Sequence, residues 1–255
     1  MTISLFKKYR KLIEQAFLPI FVSDDFDTET LLEACRLADL SGIEYTLRRS
    51  DAKEIIPTLK KRFPHTVLLV GSTIDADEIV ETLKEKHTQL LTLEELAPYT
   101  DGFVSMLPYS NETLKKYTPT HICVPTAESC GEALRQIKSG AAFIKVLGPD
   151  FSFSKKLHAA PTFNFCPTLI TGGVTEERME EAFVAGNIIC AAGFDLILKG
   201  ENPKTLTPQK AKMRIENFVR SAKAAREKAM PFLKDVETLS DEEFLKVLPH
   251  YCSIK

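Results

Sequence analysis

A (β/α)8 barrel is the fold class that this 255-residue sequence predicts, and three observations predict it. Eight short apolar runs, rich in Val, Ile, Phe and Thr and bounded by Gly, Pro, Ser or Asp, recur between residues 19 and 193. Such runs read as buried parallel strands. Amphipathic stretches with helix-start signals separate them, and the intervals are long enough for the crossover helix that each parallel connection needs. An open doubly wound sheet is the competing architecture, but it often carries a glycine-rich first turn, which this chain lacks after its first run. The barrel is assigned to about residues 17–200 of a single domain over 1–255, with a helical extension over 201–255.

In order, residues 1–17 form an amphipathic helix, with Leu5, Tyr9, Leu12, Ile13 and Ala16 on one face, expected to cover the barrel bottom. The first strand is 19–23. Asp27 or Thr28 then caps a helix carrying Leu31, Leu32, Cys35 and Ala38, which Gly42 closes. The second strand, IEYTLR, covers 43–48, and Pro57 predicts a kink or a late start in the helix after it. Strand three is 67–73, followed by a capping box at Asp75-x-x-Glu78. The longest interval, containing THTQLLTLEELAPYTDG, precedes strand four at 102–106. Strand five is 121–125, with a second capping box at Ser129-x-x-Glu132. Strand six is 142–148, strand seven 168–173 and strand eight 188–193, with Thr175, Glu176 and Glu177 starting the helix between the last two. After Gly200, TPQKAKMRIENFVRSAKAAREKAM fits one helix and SDEEFLKVL a second capped by Ser240, both read as outer-ring or interface helices.

Charge and residue spacing exclude several function classes. With 33 basic against 35 acidic residues, no polybasic surface suggests nucleic acid or an anionic membrane as partner. No apolar run approaches the roughly 18–20 residues of a membrane span. The opening MTISLFKKYRKLIEQAF lacks the apolar core of a signal peptide, so a cytoplasmic location is expected. Six cysteines, from Cys35 to Cys252, include no CxxC pair and read as reduced buried thiols. Five dispersed histidines, from His65 to His250, give no zinc or iron site.

Two charges interrupt apolar strands. In AAFIKVLG, alternation puts Phe143, Lys145 and Leu147 on one face. An inward ammonium in an apolar core is costly when protonated, and a neutral amine is the form that Schiff-base chemistry uses. In IEYTLR, alternation puts Glu44, Thr46 and Arg48 on one face and Ile43, Tyr45 and Leu47 on the other. Strands two and six share parity, so Glu44 and Lys145 are expected to meet across the lumen. A buried structural ion pair is the other reading of the two. Thr171-Gly172-Gly173 after strand seven and the glycine at Gly193 after strand eight sit where barrels often bind phosphate.

These residues resemble a known family. Glu44-Tyr45-Thr46-Leu47-Arg48 resembles the E-x-T-L-R strand of the class I aldolases acting on 2-keto-3-deoxy-6-phosphogluconate and 4-hydroxy-2-oxoglutarate. Lys145, on a Phe-x-Lys strand followed by Pro149, resembles that family's Schiff-base lysine. Gly71-Ser72-Thr73 resembles its G-x-G-T turn, Pro125 to Glu132 its P-G-x-x-T-x-x-E stretch, and Thr171-Gly172-Gly173-Val174 its T-G-G-[IV] phosphate loop. The resemblance implies a barrel, a homotrimer, a small keto-acid substrate, and no metal or other cofactor. It implies that Lys145 forms an imine with the substrate ketone and that Glu44 shuttles protons. Arg48 and Thr73 would hold the carboxylate, and Pro125, Thr171, Gly172, Gly173 and Gly193 would line the substrate site. The chain departs from the family at Val146-Leu147-Gly148-Pro149, where Phe-Phe-Pro follows the lysine, and at Ala192-Gly193-Phe194, where the family has G-G-S. Val146, Leu147 and Phe194 are thereby expected to alter the substrate walls. A family offshoot that binds a small acid without turning it over, or serves as an assembly subunit, is the alternative.

Overall fold

The first strand already shows what organises the molecule. Phe17–Phe21 (β1) is buried along its whole length, with Leu18 and Ile20 in a core inside the sheet and Phe17 and Phe21 in a second core outside it. The computed structural model describes residues 2–148, 150–159 and 166–248; the sequence expectations at Pro149, His250 and Cys252 lie outside them.

The remaining strands are Gly42–Thr46 (β2), Val67–Thr73 (β3), Gly102–Ser105 (β4), Ile122–Val124 (β5), Ile144–Leu147 (β6), Thr168–Thr171 (β7) and Ile189–Gly193 (β8). All pair in parallel in the order β5-β4-β3-β2-β1-β8-β7-β6. The ends join where Thr126 bridges Lys145 and the Lys145 N–H donates to the Pro125 carbonyl at 2.8 Å. The helices are Ile3–Gln15 (α1), Thr28–Leu37 (α2), Ala52–Arg62 (α3), Asp77–Lys84 (α4), Leu93–Leu96 (α5), Asn111–Tyr117 (α6), Cys130–Lys138 (α7), Ser152–Ala159 (α8), Met179–Val184 (α9), Phe194–Ile197 (α10), Pro208–Ala229 (α11) and Asp241–Val247 (α12). Eight parallel strands ringed by helices make a (β/α)8 barrel, as predicted. Among the described residues no helix is long and apolar enough to cross a membrane.

Several local expectations need correction. The strand predicted at 19–23 begins two residues earlier. Gly42 does not close α2, which ends at Leu37 and reverses through Asp39 in a left-handed conformation (φ 48°). Gly42 opens β2 instead, and a Cβ there would overlap Leu12 Cδ2 of α1, so its lack of a side chain admits the N-terminal helix. Asp75 caps no helix; its carboxylate accepts from the Ser110 N–H at 2.6 Å. Ser129 caps α7, while Glu132 accepts from the Glu128 amide rather than completing a box at the cap residue. Thr175 gives no side-chain cap and leads into a 3-10 turn before α9. Pro57 lies inside α3 without delaying its start at Ala52. The long third interval holds both α4 and α5.

The barrel bottom is closed by both ends of the described chain. Tyr9 of α1 stacks on Phe143 at 4.7 Å, and Leu5, Phe6, Leu12 and Ile13 join the inner core. Phe244 of α12 meets Phe6 edge-on at 5.9 Å, with the Arg10 guanidinium 4.9 Å over its ring and on Asp241 at 2.7 Å. Helix α11 packs on α2, α9 and β1, and its buried Arg226 donates to the carbonyls of Ile13 and Ile188. Burial pushes that guanidinium down to about 10. The stretch read as an extension therefore supplies the outer helix after β8 and a plug at the bottom. Phe244→Ala is expected to cost about 3–5 kcal/mol in urea unfolding and to leave ligand reactions at the opposite end of the barrel unchanged.

Candidate active site

At the C-terminal ends of the strands lies a cavity of about 230 Å³, smaller than most ligand pockets. Its position is that of barrel active sites in general. Strand alternation supplies its floor. Tyr45 and Leu47 turn outward into the core beneath the helices, so Glu44, Thr46 and Arg48 turn into the barrel mouth. Lys145 on β6 faces the same space, its neighbours Ile144 and Val146 packed outward.

Glu44 and Lys145 are 1% and 5% exposed, and these values decide the electrostatics. Burial raises the Glu44 carboxyl above the ordinary carboxylate range, and the Lys145 charge pulls it only part of the way back. Glu44 Oε2 has no hydrogen-bond partner among the described residues. A buried unpartnered carboxylate oxygen is expensive for a fold that gains nothing from it. Its space comes from Gly71: a Cβ there would overlap Glu44 Oε1 and stand 2.9 Å from Thr46 Cγ2. Gly71→Ala is expected to displace the carboxylate and destabilise the chain by about 1–3 kcal/mol, read by thermal melting together with turnover.

Two adjacent arginines part company. Arg48 is exposed at the cavity rim. Arg49, of opposite parity, is buried and bound to Tyr45 Oη at 3.0 Å and to Asp51 at 3.2 Å. Thr171, Gly172, Gly173 and Gly193 also line the cavity, with Gly172 and Gly173 at φ 91° and 70°.

Thr73 and Pro125 are not brought there. The β3–β4 pairing shifts register between Gly71 and Thr73, and Ser72 adopts φ 62°. Such a bulge re-aims side chains: Ser72 lines the cavity, and Thr73 Oγ1 goes to the Val104 carbonyl at 3.0 Å and Tyr109 Oη at 2.6 Å. Pro125 contributes its carbonyl to barrel closure. Of the expected altered walls, Leu147 faces the cavity. Val146 packs outward, and Phe194 sits against Phe21 with ring centres 4.8 Å apart. Met106, Ser72 and Asp195 line the cavity without having been picked out as site residues from sequence. Parity in β3 conceals Ser72, and an acid at a helix start conceals Asp195. Among the described residues no group of three or more His, Cys, Asp or Glu side chains is placed to hold a metal ion.

No family model and no curated protein matches the sequence. Solved structures do match. A 2-keto-3-deoxy-6-phosphogluconate aldolase from Zymomonas mobilis has a TM-score of 0.60 at 17% identity, over 88% of this chain and 98% of that one. A KDPG aldolase from Legionella pneumophila, holding pyruvate as a covalent carbinolamine intermediate, has a TM-score of 0.60 at 15% identity, over 85% and 97%. The fold is that of these aldolases. A thiamine phosphate pyrophosphorylase from Pyrococcus furiosus also matches, with a TM-score of 0.55 at 16% identity over 83% and 98%. One barrel thus serves different chemistries, and the reaction has to be argued from the side chains.

Proposed function

We propose that the chain is a Schiff-base aldolase that interconverts a 2-keto-4-hydroxy acid with pyruvate and an aldehyde. The relevant class includes 2-keto-3-deoxy-6-phosphogluconate and 4-hydroxy-2-oxoglutarate. The observation that carries this reading is the joint presence of Glu44 and Lys145 in one cavity, both almost wholly buried. An amine nucleophile and a carboxyl of raised proton affinity are the two groups that the reaction requires.

The Lys145 amine adds to the C2 ketone to give a carbinolamine, and loss of water leaves an iminium. Glu44 assists by giving a proton to the departing hydroxyl. The resulting carboxylate takes the proton of the C4 hydroxyl; the C3–C4 bond breaks, and its electron pair moves into the iminium to form an enamine. The aldehyde leaves. Glu44 returns the proton to C3, and water releases pyruvate and regenerates Lys145. A carboxyl poised nearer neutrality serves both directions of transfer. Arg48 at the rim suits the substrate carboxylate, and the glycines of the β7 and β8 loops let a ligand approach the backbone closely.

Incubation with 2-keto-4-hydroxy acids tests this directly. Pyruvate and aldehyde are expected in equal amounts, and condensation in the reverse direction; absence of pyruvate from every such acid contradicts the reading. A homotrimer, carried by the same resemblance, forms part of the proposal, together with a cytoplasmic location.

A further inference from the structure

Loops after the seventh and eighth strands of barrel enzymes often bind phosphate through backbone N–H groups. The backbone for such a site is present, with Gly172 and Gly173 in left-handed conformations and Gly193 lining the same cavity. An acid stands among them. Asp195, two residues beyond Gly193, folds back so that a Cβ on Gly193 would overlap its Oδ1, and it lines the cavity as well. Among the described residues no cation pairs with Asp195. Among the described residues, the cations that line the cavity are Lys145 and Arg48. On the proposed function, the first becomes the iminium and the second holds the substrate carboxylate. A phosphate seated on these loops would therefore face an uncompensated carboxylate, whereas a hydroxyl there finds an acceptor.

We infer that Asp195 is a specificity-determining residue that selects aldehydes with an uncharged, hydroxyl-bearing far end over phosphorylated ones. This inference rests on the aldolase reading. The test measures condensation of pyruvate with glyceraldehyde and with glyceraldehyde 3-phosphate in the wild-type chain, Asp195→Asn and Asp195→Glu. The wild type is expected to favour glyceraldehyde at least tenfold in kcat/KM. Asp195→Asn is expected to shift the ratio at least tenfold towards the phosphate, and Asp195→Glu to keep the wild-type preference. A wild type that prefers the phosphorylated acceptor, or a ratio unmoved in Asp195→Asn, overturns the inference. Borohydride trapping of pyruvate on the wild type separates the two levels. An adduct with an unmoved ratio refutes the role of Asp195 alone, and no adduct removes the aldolase reading and this inference together.

Discussion

Lys145→Met is expected to lower aldol turnover by about a thousandfold or more, the scale on which loss of a covalent nucleophile acts. Arg48, the other cation among the described residues that line the cavity, cannot take over, because a guanidinium is not an imine-forming amine. Methionine is unbranched and flexible enough to fill the vacated space, and the Glu44 carboxyl, whose proton affinity burial already raises, can take up a proton once the Lys145 charge is gone, so that no unpaired buried charge is left. The variant is therefore expected to fold. Circular dichroism and thermal melting check the fold; kcat/KM for pyruvate release checks the chemistry. A folded variant retaining a tenth of wild-type turnover contradicts the assignment.

The second large effect concerns Glu44→Gln. Loss of a positioned general acid–base costs about 10²–10⁴ in rate, and that range is expected in kcat. Lys145 remains, so slow trapping of pyruvate is expected to persist. The variant also carries a pH signature. Burial raises the Glu44 carboxyl, so the folded chain holds this proton more tightly than the unfolded chain does. Its stabilising contribution is whole below the ordinary carboxylate value and is lost as pH rises through the raised folded value. Glutamine has no proton to lose. The Tm of the wild type is thus expected to fall relative to Glu44→Gln as pH rises from the acidic range towards neutrality. Equal dependence of the two chains on pH contradicts the claim that Glu44 is buried with its proton affinity raised.

Much of this site is legible in the sequence because a strand has period two. Once 43–48 is read as a strand with Ile43, Tyr45 and Leu47 against helices, Glu44, Thr46 and Arg48 are expected to face inward; β2 itself ends at Thr46, and Arg48 reaches the cavity rim from the turn after it. The same alternation holds for Lys145 between Ile144 and Val146. The eight strands are legible because each is an apolar run broken by turn residues, and Ser240 caps the helix that SDEEFLKVL suggests, with Glu243 completing a capping box. Legibility fails where the period fails. The register shift at Ser72 exchanges Ser72 for Thr73, and no alternation rule anticipates a bulge. Phe194 and Val146 are attractive as altered walls when aligned with a family motif, yet strand parity turns Val146 into the outer core, and Phe194 joins it as the first residue of α10. The outer-ring reading of the helix after Gly200 holds for α11, and its contacts with α2 and α9 and the bonds from Arg226 to the Ile13 and Ile188 carbonyls show how it is tied to the barrel.

The proposed carbon–carbon bond cleavage rests on an amine and a carboxyl, both almost wholly buried, that line one cavity at the mouth of the barrel. Reduction with borohydride in the presence of pyruvate, followed by peptide mapping, tests it most directly. The account predicts one reduced pyruvate adduct per chain, on the peptide containing Lys145 and absent from Lys145→Met. An unmodified chain, or an adduct on another lysine, would contradict it.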